Sequence, residues 1–276
     1  SMDTELLTPN GWKLQKEINV GDSIFSFNIE KEIIEIDEIQ KTYLGRGECL
    51  EAVSRNYNLI TTKNHRVLTK TRRNKFETFT QETLKSDRKI LCTSSFINSA
   101  SDVEREFLIL VAATQADGYI KSGNHFEWCD KKRPVLRVEY GFKKIRKYER
   151  LLKTLSKFKG NGIIRVDDKS KEGEYRIIVI YEPDFFEKYL DKKKCFTYEL
   201  LNLNYKDRLF FMDEIMNWDG IFTRRNSFLS KHEKNVDVLV AVCSITNIRS
   251  HKRIYFNKPN PTPYYVIEIL YNKPHN

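Results

Sequence analysis

The segment FLILVAATQADGYI, residues 107–120, is an apolar run of helix length that ends in Asp117 followed by glycine. A second segment, LFFMDEIMNWDGIF at residues 209–222, ends in the same way in Asp219 and glycine. A glycine directly after an apolar helical run marks the end of the helix. Each aspartate therefore lies in a last turn, where the helix dipole is negative and disfavours a carboxylate. The matched contexts predict a duplicated unit whose two carboxylates converge on a cation.

Small residues in the first segment support close packing of the two helices. Ala112, Ala113 and Ala116 form a face along which two helix backbones can approach each other. Parallel packing places both carboxylates at one end, where two like charges need a divalent metal or a shared proton. The alternative from the residues alone is a pair of ordinary core helices, each capped by glycine and carrying a solvated aspartate.

The two segments resemble a known motif. Residues 110–118, LVAATQADG, look like the LAGLIDADG motif, and residues 212–220, MDEIMNWDG, look like a diverged second copy. In LAGLIDADG homing endonucleases the motif helices form the interface between pseudo-symmetric halves, and their last aspartates bind the metals that cut the two DNA strands. The second copy departs from the pattern, with Glu214 and Trp218 where small residues are usual.

The resemblance implies a fold and a metal site. The fold is α+β, with a pseudo-symmetric two-repeat αββαββα endonuclease domain over residues 99–262. Its first repeat spans 105–205 and its second 206–270. The cofactor is Mg²⁺, and the implied catalytic and metal-binding positions are Asp117, Asp219, Gly118 and Gly220.

The repeats can be followed along the chain. After each aspartate the pattern predicts a hairpin, a helix and two further strands. In the first repeat these are 119–127 and 135–142, helix 143–157, strands 162–166 and 175–181, and a short closing helix 183–190. In the second they are 221–224 and 227–231, helix 235–246, and strands 253–256 and 264–270.

Further site residues follow from the same resemblance. Family members use a basic residue near the metals, and Lys143 (or its neighbour Lys144) and Lys231 lie at matching hairpin-to-helix junctions. The alternative for each is a contact to the DNA backbone or a solvated lysine. Gln115 and Asn217 precede the aspartates at equal offsets and either position water or are surface residues. The strand residues expected to read DNA are Arg137, Glu139, Arg224 and Arg225.

The distribution of charge also indicates a nucleic-acid partner. The chain has a formal charge of +10 and a pI of about 9.2. Residues 1–98 carry 15 Lys+Arg against 14 Asp+Glu, whereas residues 99–276 carry 33 against 24. The positive charge therefore lies in the part with the two Asp-Gly segments. Basic surfaces neutralise phosphates and release counterions, which predicts double-stranded DNA as the partner.

The N-terminal third has a different pattern. Residues 4–60 contain short alternating β-branched runs, such as SIFSF at 23–27, separated by glycine-containing turns. This spacing predicts an all-β unit of hairpins. Within it, Thr62 and His65 are three residues apart, so that both can address one peptide group, polarising its carbonyl and protonating its leaving amine. The alternative is a structural histidine.

Position in the chain adds a second resemblance. Residues 3–11, DTELLTPNG, and 21–26, GDSIFS, resemble the opening block of the Hint fold of inteins, and Thr62 and His65 lie where its second block belongs. Inteins often carry a LAGLIDADG endonuclease in this order. Residues 1–98 are thus interpreted as a Hint-like splicing domain, with host-protein exteins as partners. The implied splicing residues are Ser1, Thr62, His65, His275 and Asn276.

The two ends match the Hint pattern less well. Ser1 lies only two residues before Asp3, where the family has its nucleophile about four residues before. Residues 263–276 are either the last endonuclease strand or a returning Hint segment. We therefore expect that this chain does not splice.

Two absences in the sequence bear on location. No apolar run approaches the ~18 residues that a membrane-spanning helix needs, and no signal peptide opens the chain. The five cysteines lack metal-type spacing. We therefore expect an intracellular protein without a membrane partner, and a monomer with an internal pseudo-dyad.

Three functions remain open. The first is a site-specific, metal-dependent double-strand DNA homing endonuclease embedded in an intein. The second is an autocatalytic splicing element whose endonuclease domain only binds DNA. The third is a non-catalytic basic DNA-binding protein.

Overall fold

A computed structural model describes most of the chain. The described residues are 4–43, 45–53, 58–71, 75–84, 89–98, 103–123, 134–222, 226–256 and 263–270. They divide into two compact units, called unit 1 and unit 2. Unit 1 comprises Ser1–Ile97, Val240–His251 and Leu270–Asn276, and unit 2 comprises Asn98–Leu239 and Lys252–Ile269.

The N-terminal part of unit 1 consists of short antiparallel strands joined by tight turns. Two of the turns use glycines with positive φ, Gly11 at 109° and Gly21 at 92°. The strands are β1 (Glu5–Thr8), β2 (Gly11–Leu14), β3 (Ser23–Asn28), β4 (Ile33–Glu38), β5 (Cys49–Val53), β6 (Asn58–Thr62), β7 (Arg66–Lys70), β8 (Phe76–Thr80) and β9 (Lys89–Ile90). They form hairpins β1-β2, β3-β4 and β5-β6 and a three-stranded sheet β8-β7-β9. The expected series of hairpins is confirmed, while the Hint fold stays a prediction.

Unit 2 begins with a helix–hairpin–helix–hairpin arrangement. Its elements are α1 (Arg105–Asp117), β10 (Gly118–Gly123), β11 (Val135–Phe142), α2 (Ile145–Lys157), β12 (Ile163–Asp168) and β13 (Tyr175–Tyr181). The four strands form one antiparallel sheet in the order β10-β11-β13-β12.

The same arrangement follows a second time. The elements are α3 (Tyr205–Asp219), β14 (Gly220–Phe222), β15 (Asn226–Ser230), α4 (Glu233–Ser244), β16 (Arg249–Phe256) and β17 (Pro263–Leu270). These strands form a sheet in the order β14-β15-β17-β16, which repeats the order of the first sheet. The last residues of α4 and the first of β16 are assigned to unit 1. The shared strand order agrees with a duplicated αββαββ unit.

Two predicted elements differ from the structure. Residues 183–190, predicted as a short closing helix, form consecutive turns instead. In this segment the rings of Phe185 and Phe186 both pack on Tyr181, at centroid distances of 4.6 and 4.9 Å. The connection to α3 instead contains a 3-10 helix, Tyr198–Asn202. Residues Pro263–Leu270 form strand β17, which pairs with β15, and residues 271–276 lie outside the described part, so both alternatives for residues 263–276 stay predictions.

Helix α1 is buried on all sides. Residues 110–114 are consecutive and all buried, which is the pattern of a central helix rather than an amphipathic surface helix. Its Thr114 hydroxyl lies 2.6 Å from the hydroxyl of Tyr140 on β11, which lies 3.0 Å from that of Tyr181 on β13. Burial raises the pKa of Tyr140 to about 12, so this hydroxyl stays protonated and the chain of three ties α1 to its sheet.

Within the described residues, no helix has the length and apolar character needed to cross a membrane.

The buried hydroxyl chain yields a stability prediction. Tyr140→Phe should lower the free energy of unfolding by about 1–2 kcal/mol, because it leaves the buried hydroxyls of Thr114 and Tyr181 short of a partner. The measurement is the urea midpoint followed by circular dichroism. Tyr119→Phe is the matched control, since Tyr119 is 62% exposed and should change stability by less than about 0.5 kcal/mol. Equal midpoints for both variants would contradict the assigned role of the chain.

Candidate active site at two helix ends

Each motif helix passes directly into a strand. Helix α1 ends at Asp117 and β10 begins at Gly118, and α3 ends at Asp219 where β14 begins at Gly220. Both glycines are extended, with φ of −76° and −74°, so they are not left-handed helix caps. A Cβ on Gly118 would lie 2.7 Å from the Thr114 carbonyl oxygen, and one on Gly220 would collide with the main chain of α3. Glycine is therefore required at both positions because a side chain would have no room, and not because the backbone adopts a positive φ.

The two aspartates lie close together in the structure. Helices α1 and α3 pack against each other, and both end at the same place. The Nζ atom of Lys147 lies 2.6 Å from Oδ2 of Asp117 and 3.4 Å from Oδ1 of Asp219, so these two oxygens are at most 6.0 Å apart. The expected proximity of the carboxylates is confirmed, and a single ammonium group serves both.

Two more cations lie at the same helix ends. Arg146 donates from Nη1 to the carbonyl oxygen of Asn217 at 2.8 Å, in the last turn of α3. Lys194 donates from Nζ to the carbonyl oxygens of Gly118 at 2.6 Å and Gln115 at 3.4 Å, at the end of α1. Positive side chains at a helix C-terminus interact favourably with its dipole. The positive charge at these two helix ends is therefore supplied by side chains of the protein itself.

Burial shifts the ionisation of the groups at this site. Burial raises the pKa of Asp117; the hydrogen bond and charge of Lys147 offset part of this effect, and the charge of Asp219 adds to it. Burial also lowers the pKa of Lys194, against the opposing attraction of Asp117 and Asp219. Displaced pKa values in a cleft mark candidate functional sites.

The donor atoms suit a divalent cation. Mg²⁺ is commonly bound by one or two carboxylates, with water and substrate phosphate completing its shell. Asp117 and Asp219 provide two carboxylates whose side chains are 22% and 35% exposed, and a protein cation already lies between them. Among the described residues, no cluster of three or more His, Cys, Asp or Glu could hold a metal, so these two carboxylates would need phosphate or water as further ligands. The carbonyl of Gly118 accepts from Lys194, and Gly220 begins β14 beside Asp219.

The lysines predicted for catalysis are not the ones at the carboxylates. Lys143 and Lys231 are exposed at the two junctions between strand and helix. Lys147 is the third residue of α2, which begins at Ile145, whereas Lys143 precedes the helix. The basic residues around this helix start were the available signal, but the position of the helix start decides which of them reaches the carboxylates.

The second repeat lacks an equivalent of Lys147. Two residues separate β11 from α2 and β15 from α4, so the third residue of each helix occupies the same position. In α4 this residue is Asn235, which is fully buried and accepts a hydrogen bond from the backbone N–H of Phe196 at 2.7 Å. Lys194 lies two residues before Phe196, in the turn that this hydrogen bond to Asn235 fixes. The two halves therefore bring their cations from different parts of the chain.

One bulky residue of the second motif, Glu214, is a buried carboxylate that pairs with Arg150. Its side chain on α3 is 1% exposed, and its two oxygens accept hydrogen bonds from Nε of Arg150, at 2.8 Å, and from Nη2. It also accepts from Nε1 of Trp218 at 2.7 Å. Arg150 lies on α2, so these contacts tie the helix that carries Lys147 to the helix that carries Asp219.

The outward face of the first sheet is basic around one carboxylate. Arg137 and Glu139 on β11 alternate with the buried Val138 and Tyr140, so both point away from the helices. Glu139 pairs with Lys121 at 3.0 Å, Arg137 at 2.7 Å and Arg176 at 2.6 Å. Although burial alone would raise the pKa of Glu139, the hydrogen bonds from Arg176 and Lys121 and the charge of Arg137 lower it. The carboxylate therefore stays ionised and orders three cations.

The second sheet has a smaller ion pair on its strands. Arg253 on β16 lies 3.4 Å from Glu268 on β17, between Nε and Oε1. Arg224 and Arg225, the second pair of predicted DNA-binding residues, lie outside the described residues.

The proposed splicing residues are only partly described. Thr62 ends β6 and His65 precedes β7, and the backbone N–H of His65 donates to the carbonyl oxygen of Thr62 at 3.0 Å. Both side chains are exposed. Ser1, His275 and Asn276 lie outside the described residues, so their roles stay predictions.

Comparison with known proteins gives similarities of structure only. No protein family model matches the chain, and no curated protein sequence matches it. Mesophilic variants of the homing endonuclease I-DmoI are 12% identical at a TM-score of 0.39, over 60% of this chain and 88% of theirs. The homing endonuclease I-WcaI bound to its DNA recognition sequence is 16% identical at a TM-score of 0.38, over 61% and 77%. Full-length DUF199/WhiA from Thermatoga maritima is 15% identical at 0.34, over 62% and 53%.

Proposed function

We propose that the chain is a divalent-metal-dependent DNA endonuclease that hydrolyses phosphodiester bonds at the joined ends of α1 and α3. The observation that carries this proposal is the convergence of Asp117 and Asp219 on one ammonium group. Two carboxyl groups whose contacting oxygens lie within 6.0 Å of each other, at two negative helix ends, attract cations.

The residues of this site have distinct roles in the proposal. Asp117 and Asp219 hold the metal, with Gly118 and Gly220 providing the adjacent main chain. A bound divalent ion supplies Lewis-acid activation of water and stabilises the leaving oxygen. Lys147 and Lys194 place positive charge where the scissile phosphate would approach, and the exposed Lys143 and Lys231 are proposed to contact the DNA phosphates beside it.

The sheets supply the DNA-binding surface in this proposal. A strand pair fits the major groove of B-DNA, where side chains meet base edges. Arg137 and Glu139, with Lys121 and Arg176, form an ordered polar cluster on the outward face of the first sheet. We assign Arg224 and Arg225, which lie outside the described residues, to the same task in the second repeat. We further propose that cutting is site-specific and that the chain is part of an intein.

A second candidate activity, protein splicing, rests on a separate observation. Thr62 and His65 bracket a single turn and both are exposed, so both can reach one bound peptide group. The test is a fusion of the chain between two reporter domains, analysed by mass spectrometry. Ligated reporters together with an excised chain would support splicing, whereas an intact fusion would argue against it.

The nuclease proposal predicts a separation of cleavage from DNA binding. Asp117→Asn and Asp219→Asn should each reduce Mg²⁺-dependent cleavage of plasmid DNA by roughly 10²–10³-fold, because the metal loses a charged ligand. DNA affinity, measured by fluorescence anisotropy, should change little because binding is distributed over many cations. Asp213→Asn, an exposed position on the same helix, is the control and should cut normally. Undiminished cleavage by both variants, or no cleavage by the wild type in Mg²⁺ or Mn²⁺, would refute the assignment.

The charge distribution predicts where salt acts on binding. DNA affinity should fall steeply with salt, and Lys121→Gln/Arg137→Gln should lower the slope of log K against log [salt] by about 2. Lys16→Gln/Lys41→Gln removes the same charge from exposed positions in unit 1 and should leave the slope unchanged. Equal losses of slope in both double variants would show that the first sheet is not the DNA-binding surface.

A further inference from the structure

The position of Lys147 between the two carboxylates has a consequence for metal binding. Its ammonium lies 2.6 Å from Asp117 and 3.4 Å from Asp219, and its side chain is only 11% exposed. A divalent ion bound to the same two oxygens would have to lie in nearly the same place. Two cations at that separation repel each other strongly, most of all where water is largely excluded.

We propose that Lys147 is a built-in competitor of the metal: its ammonium neutralises the two carboxylates in the free protein and is displaced when a divalent ion binds both of them. The inference rests on the proposed nuclease function and concerns the regulation of the same site. Lys147 is a positioning residue here, because it acts through the carboxylates.

The displacement requires little structural change. The lysine side chain is a flexible four-carbon stem with a compact charge, so that a change of rotamer is enough to move the ammonium. Its helix is held independently of the ammonium, because Arg150 on α2 is bound to the buried Glu214 on α3. The metal can therefore replace the ammonium without moving α2.

The displaced ammonium needs another anion, and three carbonyl oxygens at the two helix ends already accept hydrogen bonds from other cations. The Asn217 carbonyl accepts from Arg146, and the carbonyls of Gly118 and Gln115 accept from Lys194. A DNA phosphate beside the site is an anion of the right kind. Metal and DNA binding should therefore be positively coupled, since each favours the arrangement in which Lys147 has left the carboxylates. In the absence of DNA the site should bind metal weakly.

Metal affinity tests this inference without reference to cleavage. Mn²⁺ is the probe, and free Mn²⁺ is counted by electron paramagnetic resonance in the absence of DNA. Lys147→Met should bind Mn²⁺ at least about tenfold more tightly than the wild type, corresponding to a coupling in the usual range. Lys153→Met, at an exposed position on the same helix, should match the wild type. In Lys147→Met/Asp219→Asn the gain should disappear, because one carboxylate has lost its charge.

A second arm measures the coupling to DNA. With Ca²⁺ as the metal, pooled random-sequence duplex DNA should increase the metal affinity of the wild type by about tenfold but that of Lys147→Met by much less. Thermal unfolding in chelator controls for folding. If Lys147→Met is destabilised by its unpaired carboxylates, Mn²⁺ should raise its melting temperature more than that of the wild type.

The outcomes separate the two proposals. If the wild type cuts DNA but Lys147→Met binds Mn²⁺ no more tightly than it does, the competition is wrong and the nuclease assignment stands. A gain that persists in the Asp219→Asn double variant would also overturn the competition, because it would locate the tighter site elsewhere. If neither protein binds Mn²⁺ through these carboxylates, both proposals fail together.

Discussion

The central constraint on unit 2 is the repulsion between two carboxylates at the negative ends of two packed helices. Asp117 and Asp219 come within 6.0 Å of each other because α1 and α3 pack closely and each helix turns into a strand with no intervening loop. Helix dipoles and like charges both oppose this arrangement. Three cations offset this repulsion: Lys147 lies between the carboxylates, and Arg146 and Lys194 donate to the adjoining carbonyl oxygens. Helix α2 and the turn that carries Lys194 thus bring positive charge to the two helix ends.

The duplicated architecture does not extend to the chemistry of the site. The two sheets share their strand order, but the position of Lys147 in α2 is taken by Asn235 in α4. Asn235 instead holds the turn before α3 through the backbone N–H of Phe196, and this turn carries Lys194 to the end of α1. Lys194 has a positive φ of 60°, an uncommon conformation for a residue other than glycine. A residue kept in that conformation while its side chain reaches a functional cluster fits a positional role.

The features that could be predicted from the sequence are those with local causes. Apolar periodicity and the following glycine identified both motif helices, and alternation identified the strands on either side of α2. The role of Lys147 was missed because it depends on where α2 begins. The helix was predicted to start at residue 143, whereas α2 starts at Ile145. Lys194 was missed because its contacts at α1 lie 76 and 79 residues away in the chain. The helix predicted at 183–190 was wrong: this segment forms turns in which Phe185 and Phe186 both pack on Tyr181, and such tertiary contacts can override local helix propensity.

A site neutralised by its own lysines differs in kind from a structural metal centre. Where a metal is the only counter-charge, folding and metal binding are a single event and the apo protein is unfolded. Here Lys147 on α2 contacts the carboxylates at the ends of both motif helices, and the Arg150–Glu214 pair ties α2 to α3, so the counter-charge comes from within the chain. The counter-charge at this site therefore does not depend on a metal, and the two carboxylates stand on helices, which hold ligand geometry more accurately than loops do. Because a lysine side chain is a flexible stem, a change of rotamer can exchange the positive charge at this site without a change in the helices.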